Sequence, residues 1–239
     1  MLIKKDKMIG LFGQSGAGKT SIIKNLPDEF NKIPLVKNIG IIRKLFQNNP
    51  DKYSNPEGLL KEFKQQIKDY EVTFIFQEIA FKYIKSQLNL LNDFSAECYS
   101  NYRELRTIPS IILFDRSPVD FYILTLCGLE FIMDNLNIKG DLKANLNNQN
   151  LTFLDFIRDT SIHNTNLMFD TIITVLPWSD SMNELQDGVR DQYLASKYTG
   201  DNWYYKANNI VFNNTKQFCI PEHITALDAR SNYAINAVI

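Results

Sequence analysis

The sequence has few of the residues that support metal or disulfide chemistry. Among 239 residues there are three cysteines and two histidines. The cysteines, Cys98, Cys127 and Cys219, are far apart and form no CxxC pair, which favours reduced thiols over zinc sites or disulfides. The histidines, His163 and His223, have no partner at metal-ligand spacing, and we expect both to be ordinary core or surface residues.

Charge of one sign and long apolar runs are also missing. The formal net charge is −1, which argues against a protein that coats nucleic acid or binds membranes by electrostatics. The most apolar long stretch, residues 121–133, is short and contains Glu130, so we expect a core helix and not a membrane span. Residues 1–7 are charged and lack the apolar region of a signal peptide. We therefore expect a cytoplasmic protein without nucleic-acid or membrane partners.

Short apolar runs alternate along the chain with segments of helical periodicity. We predict strands at residues 8–12, 110–114, 171–176 and 224–227, and a weaker one within 33–42. Helical patterns cover residues 20–26, 56–67 and 74–91. The apolar runs are continuous, which is typical of strands covered on both faces. The sequence thus predicts an α/β fold with a doubly wound parallel sheet, in a single domain of residues 1–239.

One segment interrupts this alternation. Residues 135–150 are dense in Asn and Lys and contain Gly140. We expect an exposed, poorly ordered insertion there, and no internal repeat is visible elsewhere.

A glycine-rich loop after the first predicted strand carries the most specific signal. It has the complete Walker A pattern of a P-loop, Gly13-Gln14-Ser15-Gly16-Ala17-Gly18-Lys19-Thr20, in the strand-loop-helix context that the motif requires. Glycines let backbone N–H groups converge on phosphate oxygens, and the helix N-terminus adds a favourable dipole. Lys19 would bridge the β- and γ-phosphates, the Thr20 hydroxyl would bind Mg²⁺, and Ser21 completes the nucleotide-binding candidates. We therefore expect ATP and Mg²⁺ as cofactors.

A second candidate segment, Asp115-Arg116-Ser117-Pro118, follows the predicted strand 110–114. A carboxylate at the carboxyl end of a parallel strand lies where such sheets bind ligands. Asp115 could hold Mg²⁺ through water or accept a proton from an acceptor hydroxyl, and Arg116 could clamp the acceptor. The alternative is a strand-to-helix turn in which Asp115 only caps the helix.

Two of these segments resemble a known family. Asp-Arg-Ser after a hydrophobic strand resembles the Asp-Arg or Glu-Arg-Ser signature of thymidylate kinases and deoxynucleoside kinases. Residues 74–77, Phe-Ile-Phe-Gln, resemble the Phe-x-x-Gln helix of deoxynucleoside kinases, whose Gln binds the substrate base. The resemblance implies a nucleotide-kinase-like P-loop fold, with Gln77 reading the base because an amide can both donate and accept. An exposed helix glutamine is the alternative.

Residues 187–190, Asp-Gly-Val-Arg, are similar to the Asp-Gly-x-Arg segment of small P-loop kinase-like proteins in phage and bacterial genomes. In kinases this position belongs to a lid over the transferring phosphates. The resemblance implies a helical lid at residues 179–205, with Arg190 neutralising charge in the transition state. A surface turn with a solvated arginine is the alternative. After the last predicted strand we expect Ser231 to cap a helix.

The acceptor is less well defined by the sequence. Deoxynucleoside kinases carry an acidic residue at the end of their second strand that acts as base on the sugar hydroxyl, and residues 33–39 offer no carboxylate. A phosphate acceptor is already ionised and needs no base, which favours a nucleoside monophosphate. Asp115 could supply the base instead.

The sequence as a whole predicts an ATP-dependent phosphotransferase that moves the γ-phosphoryl group to a nucleoside monophosphate or a (deoxy)nucleoside. Its catalytic residues would be Lys19, Asp115, Arg116 and Arg190, and Gln77 and Arg116 would bind the acceptor. A small-molecule acceptor is the expected partner, and the chain could also form a homodimer. The alternatives are a non-kinase P-loop NTPase acting on a macromolecule and a ribosylnicotinamide kinase-like enzyme. A GTPase switch is disfavoured because no Asn-Lys-x-Asp tetrad occurs.

Overall fold

Five parallel strands form a sheet in this computed structural model, which describes residues 7–13, 17–26, 35–63, 71–104, 111–176, 210, 212–221 and 223–236. The strands are β1 (Lys7–Phe12), β2 (Leu35–Asn38), β3 (Ile111–Phe114), β4 (Thr171–Val175) and β5 (Lys216–Ile220). The helices in these ranges are α1 (Lys19–Lys24), α2 (Ile41–Asn48), α3 (Pro56–Phe63), α4 (Val72–Glu104), α5 (Pro118–Asn135), α6 (Gly140–Met168) and α7 (Leu227–Asn236).

The strand order β2-β3-β1-β4-β5 places β1 at the centre of the sheet. All four neighbouring pairs are parallel, with Gly10 of β1 opposite Phe114 of β3 and Phe12 of β1 opposite Thr174 of β4. From β1 the chain runs outward to β2 on one side and later to β4 on the other. This change of direction creates a crevice at the carboxyl end of β1, where open parallel sheets bind ligands. The predicted parallel α/β fold is confirmed.

Both faces of the sheet are covered, because alternate residues of β1 point to opposite sides. Met8 and Phe12 belong to a buried cluster that includes residues of α4 and α5. Ile9 and Leu11 belong to a second cluster, which contains residues of α1 and α7. This double burial explains why the strand reads as a continuous apolar run in the sequence.

A third buried cluster lies among helices alone. It joins the N-terminal part of α4 with α3, α5 and the first half of α6, and it contains no strand residue. Within it Tyr83 of α4 packs against Gly128 of α5, and the Tyr83 hydroxyl donates a hydrogen bond of 2.9 Å to the Leu124 carbonyl. Helices α3–α6 therefore share a buried cluster of their own, which we call the helical layer.

Residues 135–150 are not poorly ordered, contrary to the expectation. From Gly140 onward they form the start of α6, and Leu146 of this segment is buried. Two asparagines of the segment donate a side-chain hydrogen bond to a carbonyl of the preceding turn, Asn135 to Phe131 at 2.9 Å and Asn150 to Leu146 at 2.8 Å, which is compatible with helix.

The prediction of a strand at 224–227 was wrong. The fifth strand is β5, residues 216–220, and Leu227 already begins α7. In β5 Lys216, Gln217 and Cys219 are exposed, because the strand lies at the edge of the sheet. Its apolar pattern is therefore too weak to be recognised. No helix within the described ranges is long and apolar enough to cross a membrane.

Candidate nucleotide site

The glycine-rich loop leaves the sheet at its centre, between the carboxyl ends of β3 and β4. Gly13 follows β1 directly and is buried. A Cβ atom at Gly13 would come within 2.6 Å of the Val175 carbonyl oxygen, so only glycine allows this close approach of two strands. Gly18 has φ 82° and stands at the N-cap of α1, a conformation that glycine adopts without strain.

Two cations converge on the first carbonyl of this loop. The Lys19 ammonium donates a hydrogen bond of 2.5 Å to the Gly13 carbonyl, and Lys19 is only 6% exposed. The Arg116 guanidinium donates to the same carbonyl at 3.1 Å. Two cationic side chains thus lie where the loop begins, and groups of this kind suit an anionic ligand.

Asp115 lies at the carboxyl end of β3 and contacts the start of α1. Its Oδ2 accepts a hydrogen bond of 3.2 Å from the Thr20 hydroxyl and another of 3.2 Å from the backbone N–H of Gly40. Its own N–H donates to the Asn38 carbonyl at 3.3 Å, which ties it to the end of β2. The ends of two strands and the start of α1 therefore contribute to one small polar region.

Helix α5 is capped by other residues, so the alternative role of Asp115 as a helix cap does not hold. The N-cap is Ser117, which forms a capping box with Asp120. In this box the Ser117 N–H donates to Asp120 Oδ2 at 2.8 Å. The carboxylate of Asp115 remains directed toward Thr20.

Asp120 is a site residue that our sequence reasoning missed. It is 1% exposed, and its Oδ1 accepts a hydrogen bond of 2.9 Å from Arg116 and one of 3.5 Å from the Gly13 N–H. One buried carboxylate thereby fixes both the arginine and the start of the phosphate-binding loop. The Ser-x-x-Asp spacing of a capping box was the signal in the sequence.

The oxygen atoms of Thr20 and Asp115 fit a magnesium ion. Adjacent ligands of octahedral Mg²⁺, bound at about 2.1 Å, lie about 3 Å apart, and these two oxygens are 3.2 Å apart. The described ranges contain no group of three His, Cys, Asp or Glu side chains that could hold a metal. Such a group is not required, because Mg²⁺ usually takes one or two protein ligands and completes its shell with phosphate oxygens and water.

Asn38 adds a polar atom beside this region. Its side-chain nitrogen is buried and has no hydrogen-bond partner among the described residues. Buried donors are normally satisfied, so an unpaired one beside Asp115 marks a place where an oxygen of a ligand could bind.

Gln77 lies elsewhere, in the helical layer. It is exposed and donates a hydrogen bond of 2.8 Å to Gln149 of α6. Helical rise places it about 26 Å along α4 from Phe94, which packs in the cluster that covers the sheet. Gln77 and Gln149 line a groove of about 370 Å³ with Phe81, Lys85 and Phe153.

Other predicted residues have mixed outcomes. Ser231 does not cap a helix, because it lies inside α7, is fully buried, and donates to the Ile22 carbonyl at 3.5 Å. The histidines 163 and 223 are both exposed. The predicted residues Gln14, Ser15, Gly16 and Arg190 and the predicted lid 179–205 lie outside the described residues.

Known proteins resemble this chain in structure but not in sequence. The sequence matches no protein-family model and no curated protein sequence. Among solved structures, the chain is similar to a thymidylate kinase from Candida albicans, with 12% identity, 98% of this chain and 91% of that chain covered, and a TM-score of 0.52. It also aligns with a deoxyadenosine kinase from M. mycoides solved with bound dATP, with 16% identity, 97% and 98% coverage and a TM-score of 0.43. The chain has the fold of the thymidylate kinase from Candida albicans.

Proposed function

We propose that this protein is an ATP- and Mg²⁺-dependent phosphotransferase that moves the γ-phosphoryl group to a nucleoside monophosphate or a (deoxy)nucleoside. The observation that carries the proposal is the convergence of Lys19, Arg116, Thr20 and Asp115 at the carboxyl end of the central strands. A P-loop alone would indicate nucleotide binding in any of several protein classes. The additional arginine beside the metal-binding pair suits the transfer of a phosphoryl group.

The proposed roles follow from the contacts. The Lys19 ammonium now rests on the Gly13 carbonyl and would move to the β- and γ-phosphates when ATP binds. Thr20 and Asp115 would hold Mg²⁺, which neutralises charge on the phosphates when bound. Arg116, held by Asp120, would orient the acceptor with its planar donor fork.

The contacts of Asp115 favour a phosphate acceptor over a hydroxyl acceptor. Its Oδ2 is already engaged by Thr20 and Gly40, which suits a metal-holding role better than proton abstraction. A monophosphate acceptor requires no general base, whereas a nucleoside hydroxyl benefits from one. Asn38 would be available to the acceptor through its unpaired amide nitrogen.

Several further features stay predictions. They are a lid at residues 179–205 that brings Arg190 to the phosphates, base reading by Gln77, one domain over residues 1–239, a cytoplasmic location and a homodimer. The exposed position of Gln77 in the α4–α6 groove argues against base reading unless the acceptor extends into that groove.

The test is a screen of all common nucleosides and nucleoside monophosphates with ATP and Mg²⁺, in which ADP release is measured. We expect one or a few acceptors to stimulate ADP release strongly. If none does, and a macromolecule stimulates ATP hydrolysis instead, the NTPase alternative replaces the kinase. Phosphorylation of a nicotinamide riboside alone would keep the chemistry and change the acceptor.

A further inference from the structure

Arg230 is a buried arginine behind the phosphate-binding loop. It lies in the first part of α7, 0% of its surface is exposed, and it is the largest fully buried side chain among the described residues. Arginine is almost never fully buried unless its donors are satisfied, because removing the charge from water is costly. A guanidinium at this position therefore needs hydrogen-bond acceptors inside the protein.

The guanidinium donates to backbone carbonyls of three separate segments. Nη1 donates to the Ile224 carbonyl, in the connection between β5 and α7, at 2.7 Å. Nη2 donates to the carbonyl of Leu176, the residue that follows β4, and to the carbonyl of Ala17 at 3.5 Å. Ala17 belongs to the P-loop, and Leu176 directly precedes residues 177–209.

The contact with Ala17 has a consequence for the nucleotide side of the loop. In a planar trans peptide the C=O and the N–H point in opposite directions. A guanidinium that holds the Ala17 carbonyl toward α7 therefore directs the Gly18 N–H away from α7. Gly18 is the residue with φ 82° at the N-cap of α1, and backbone N–H groups at such a position bind phosphate oxygens.

Only a guanidinium can make this set of contacts. Its five N–H donors lie in one rigid plane and reach several acceptors at once, whereas a lysine ammonium is a point charge on a flexible stem. One of these segments is also tied to β5, since the Leu176 N–H donates to the Ile220 carbonyl at 3.1 Å.

We propose that Arg230 is a positioning residue of the nucleotide site, which sets the Ala17–Gly18 peptide for phosphate binding and couples it to the segments at Leu176 and Ile224. The proposal rests on the proposed function, because it requires that the P-loop binds a nucleotide. Arg230 contacts the loop from behind and is not itself expected to contact the substrate.

The first test compares Arg230→Lys and Arg230→Ala with the parent in equilibrium binding of ATP and Mg²⁺. We expect the Kd for ATP to rise about tenfold in both variants, because hydrogen bonds to a charged group are lost and the loop is no longer held. Low millimolar guanidinium chloride should restore part of the affinity of Arg230→Ala, and potassium chloride of equal ionic strength should not. The matched control is Arg158→Lys. Arg158 is half-exposed on the surface of α6, and within the described part of the chain its ion pairs are with Asp155 and Asp159.

A merely structural role would give a different result. It would lower the melting temperature of the Arg230 variants but leave the Kd for ATP and the ATP-induced rise in melting temperature unchanged, and this outcome would overturn the proposal. If the parent itself binds no ATP, the proposed function fails as well, so the two failures are distinguishable.

A second measurement needs no variant and decides the matter should the variants not fold. Hydrogen exchange of the parent is followed with Mg²⁺ and inorganic tripolyphosphate, which occupies a phosphate site but has no base to contact other loops. We expect slower exchange at residues 17–20 together with residues 224–230. Protection of the loop alone would show that Arg230 does not couple these segments, and would refute the inference.

Discussion

The two halves of helix α4 show how differently polar residues are used in this protein. In the N-terminal half, Gln77 pairs with Gln149 at the surface, and Phe81 beside it is 58% exposed. Further along the helix, the Ser86 hydroxyl accepts a hydrogen bond of 2.7 Å from the Ser54 N–H. Gln77 thus pairs with a residue of α6 at the surface, whereas Ser86 and Asp93 tie the helix to residues 52–54, which follow α2.

In the C-terminal half of α4, Asp93 contacts the segment that follows α2. It accepts hydrogen bonds from Lys52, at 2.5 Å, and from the Tyr53 hydroxyl. Burial opposes ionisation of this carboxyl, but the hydrogen bonds from Lys52 and Tyr53 outweigh it and hold the pKa below its ordinary value. The carboxylate anchors the segment after α2 to α4, and it is a natural control for the carboxylate of Asp115, which faces the P-loop.

Residue type alone therefore does not identify the residues of the candidate site. The cations and oxygen ligands lie around the P-loop, at the carboxyl ends of the central strands, whereas the helical layer contributes packing. We therefore expect substitutions at the carboxyl ends of the central strands to affect catalysis with little effect on stability. Substitutions in the helical layer should lower stability with little effect on catalysis.

Lys19→Ala should have the largest effect. Loss of the ammonium removes charge stabilisation that matters chiefly in the transition state, and we expect kcat to fall by about 10²–10³-fold. Steady-state ADP release measures the loss, and circular dichroism checks the fold. Lys85→Ala, which removes a lysine of the α4–α6 groove, is the control and should keep parental activity. Equal activity of Lys19→Ala and Lys85→Ala would place the active site elsewhere.

Asp115→Asn should follow, with kcat lowered about 100-fold and a higher Mg²⁺ concentration needed for half-maximal rate. The amide keeps the shape but removes the charge that would hold the metal. Asp93→Asn serves as the matched carboxylate outside the site, and its kcat and Mg²⁺ requirement should remain parental. An unchanged Mg²⁺ requirement in Asp115→Asn would remove Asp115 from the metal site.

Gly128→Ala should lower the free energy of unfolding by about 2 kcal/mol and leave kcat unchanged. A methyl group at this position would overlap the ring of Tyr83, which is 3% exposed and held by its bond to Leu124. Urea denaturation measures the change. Gly58→Ala is the comparison, because the alanine enters helix α3 with better helix propensity and should cost little. A large loss of kcat in Gly128→Ala at full folding would mean that the helical layer takes part in catalysis.

Gln77→Ala should have the smallest effect. The α4 geometry predicts that the KM for the acceptor changes by less than about twofold, since an exposed hydrogen bond between two glutamines contributes little to free energy. The family resemblance predicts instead altered discrimination between acceptor bases. Acceptor KM values for a purine and a pyrimidine substrate distinguish the two, and a selective rise would return Gln77 to the acceptor site.

The sequence was sufficient for the centre of the fold. The buried strands near residues 8–12, 111–114 and 171–175 were recognisable because both of their faces are apolar. The edge strand at 216–220 was missed because its exposed side carries Lys216 and Gln217, which resemble a loop. The helix at 140–150 was missed because asparagine has low intrinsic helix propensity, and tertiary packing of residues such as Leu146 overrides it.

The candidate site was only partly accessible from the sequence. Lys19, Thr20 and Asp115 could be found because each is part of a local motif. The capping-box spacing could indicate Asp120 only as a helix cap, and no local motif indicates Arg230, since their contacts with Gly13 and Ala17 are remote along the chain. Long-range contacts of this kind are set by the topology of the sheet and not by local pattern.

The most direct test of the account is transfer of label from γ-³²P-ATP in the presence of Mg²⁺ and each candidate acceptor. The account predicts that ³²P appears covalently on a nucleoside monophosphate or nucleoside, that little inorganic phosphate is formed, and that Asp115→Asn transfers far less label. Release of ³²P only as inorganic phosphate, at a rate that no nucleoside or nucleotide changes, would contradict it.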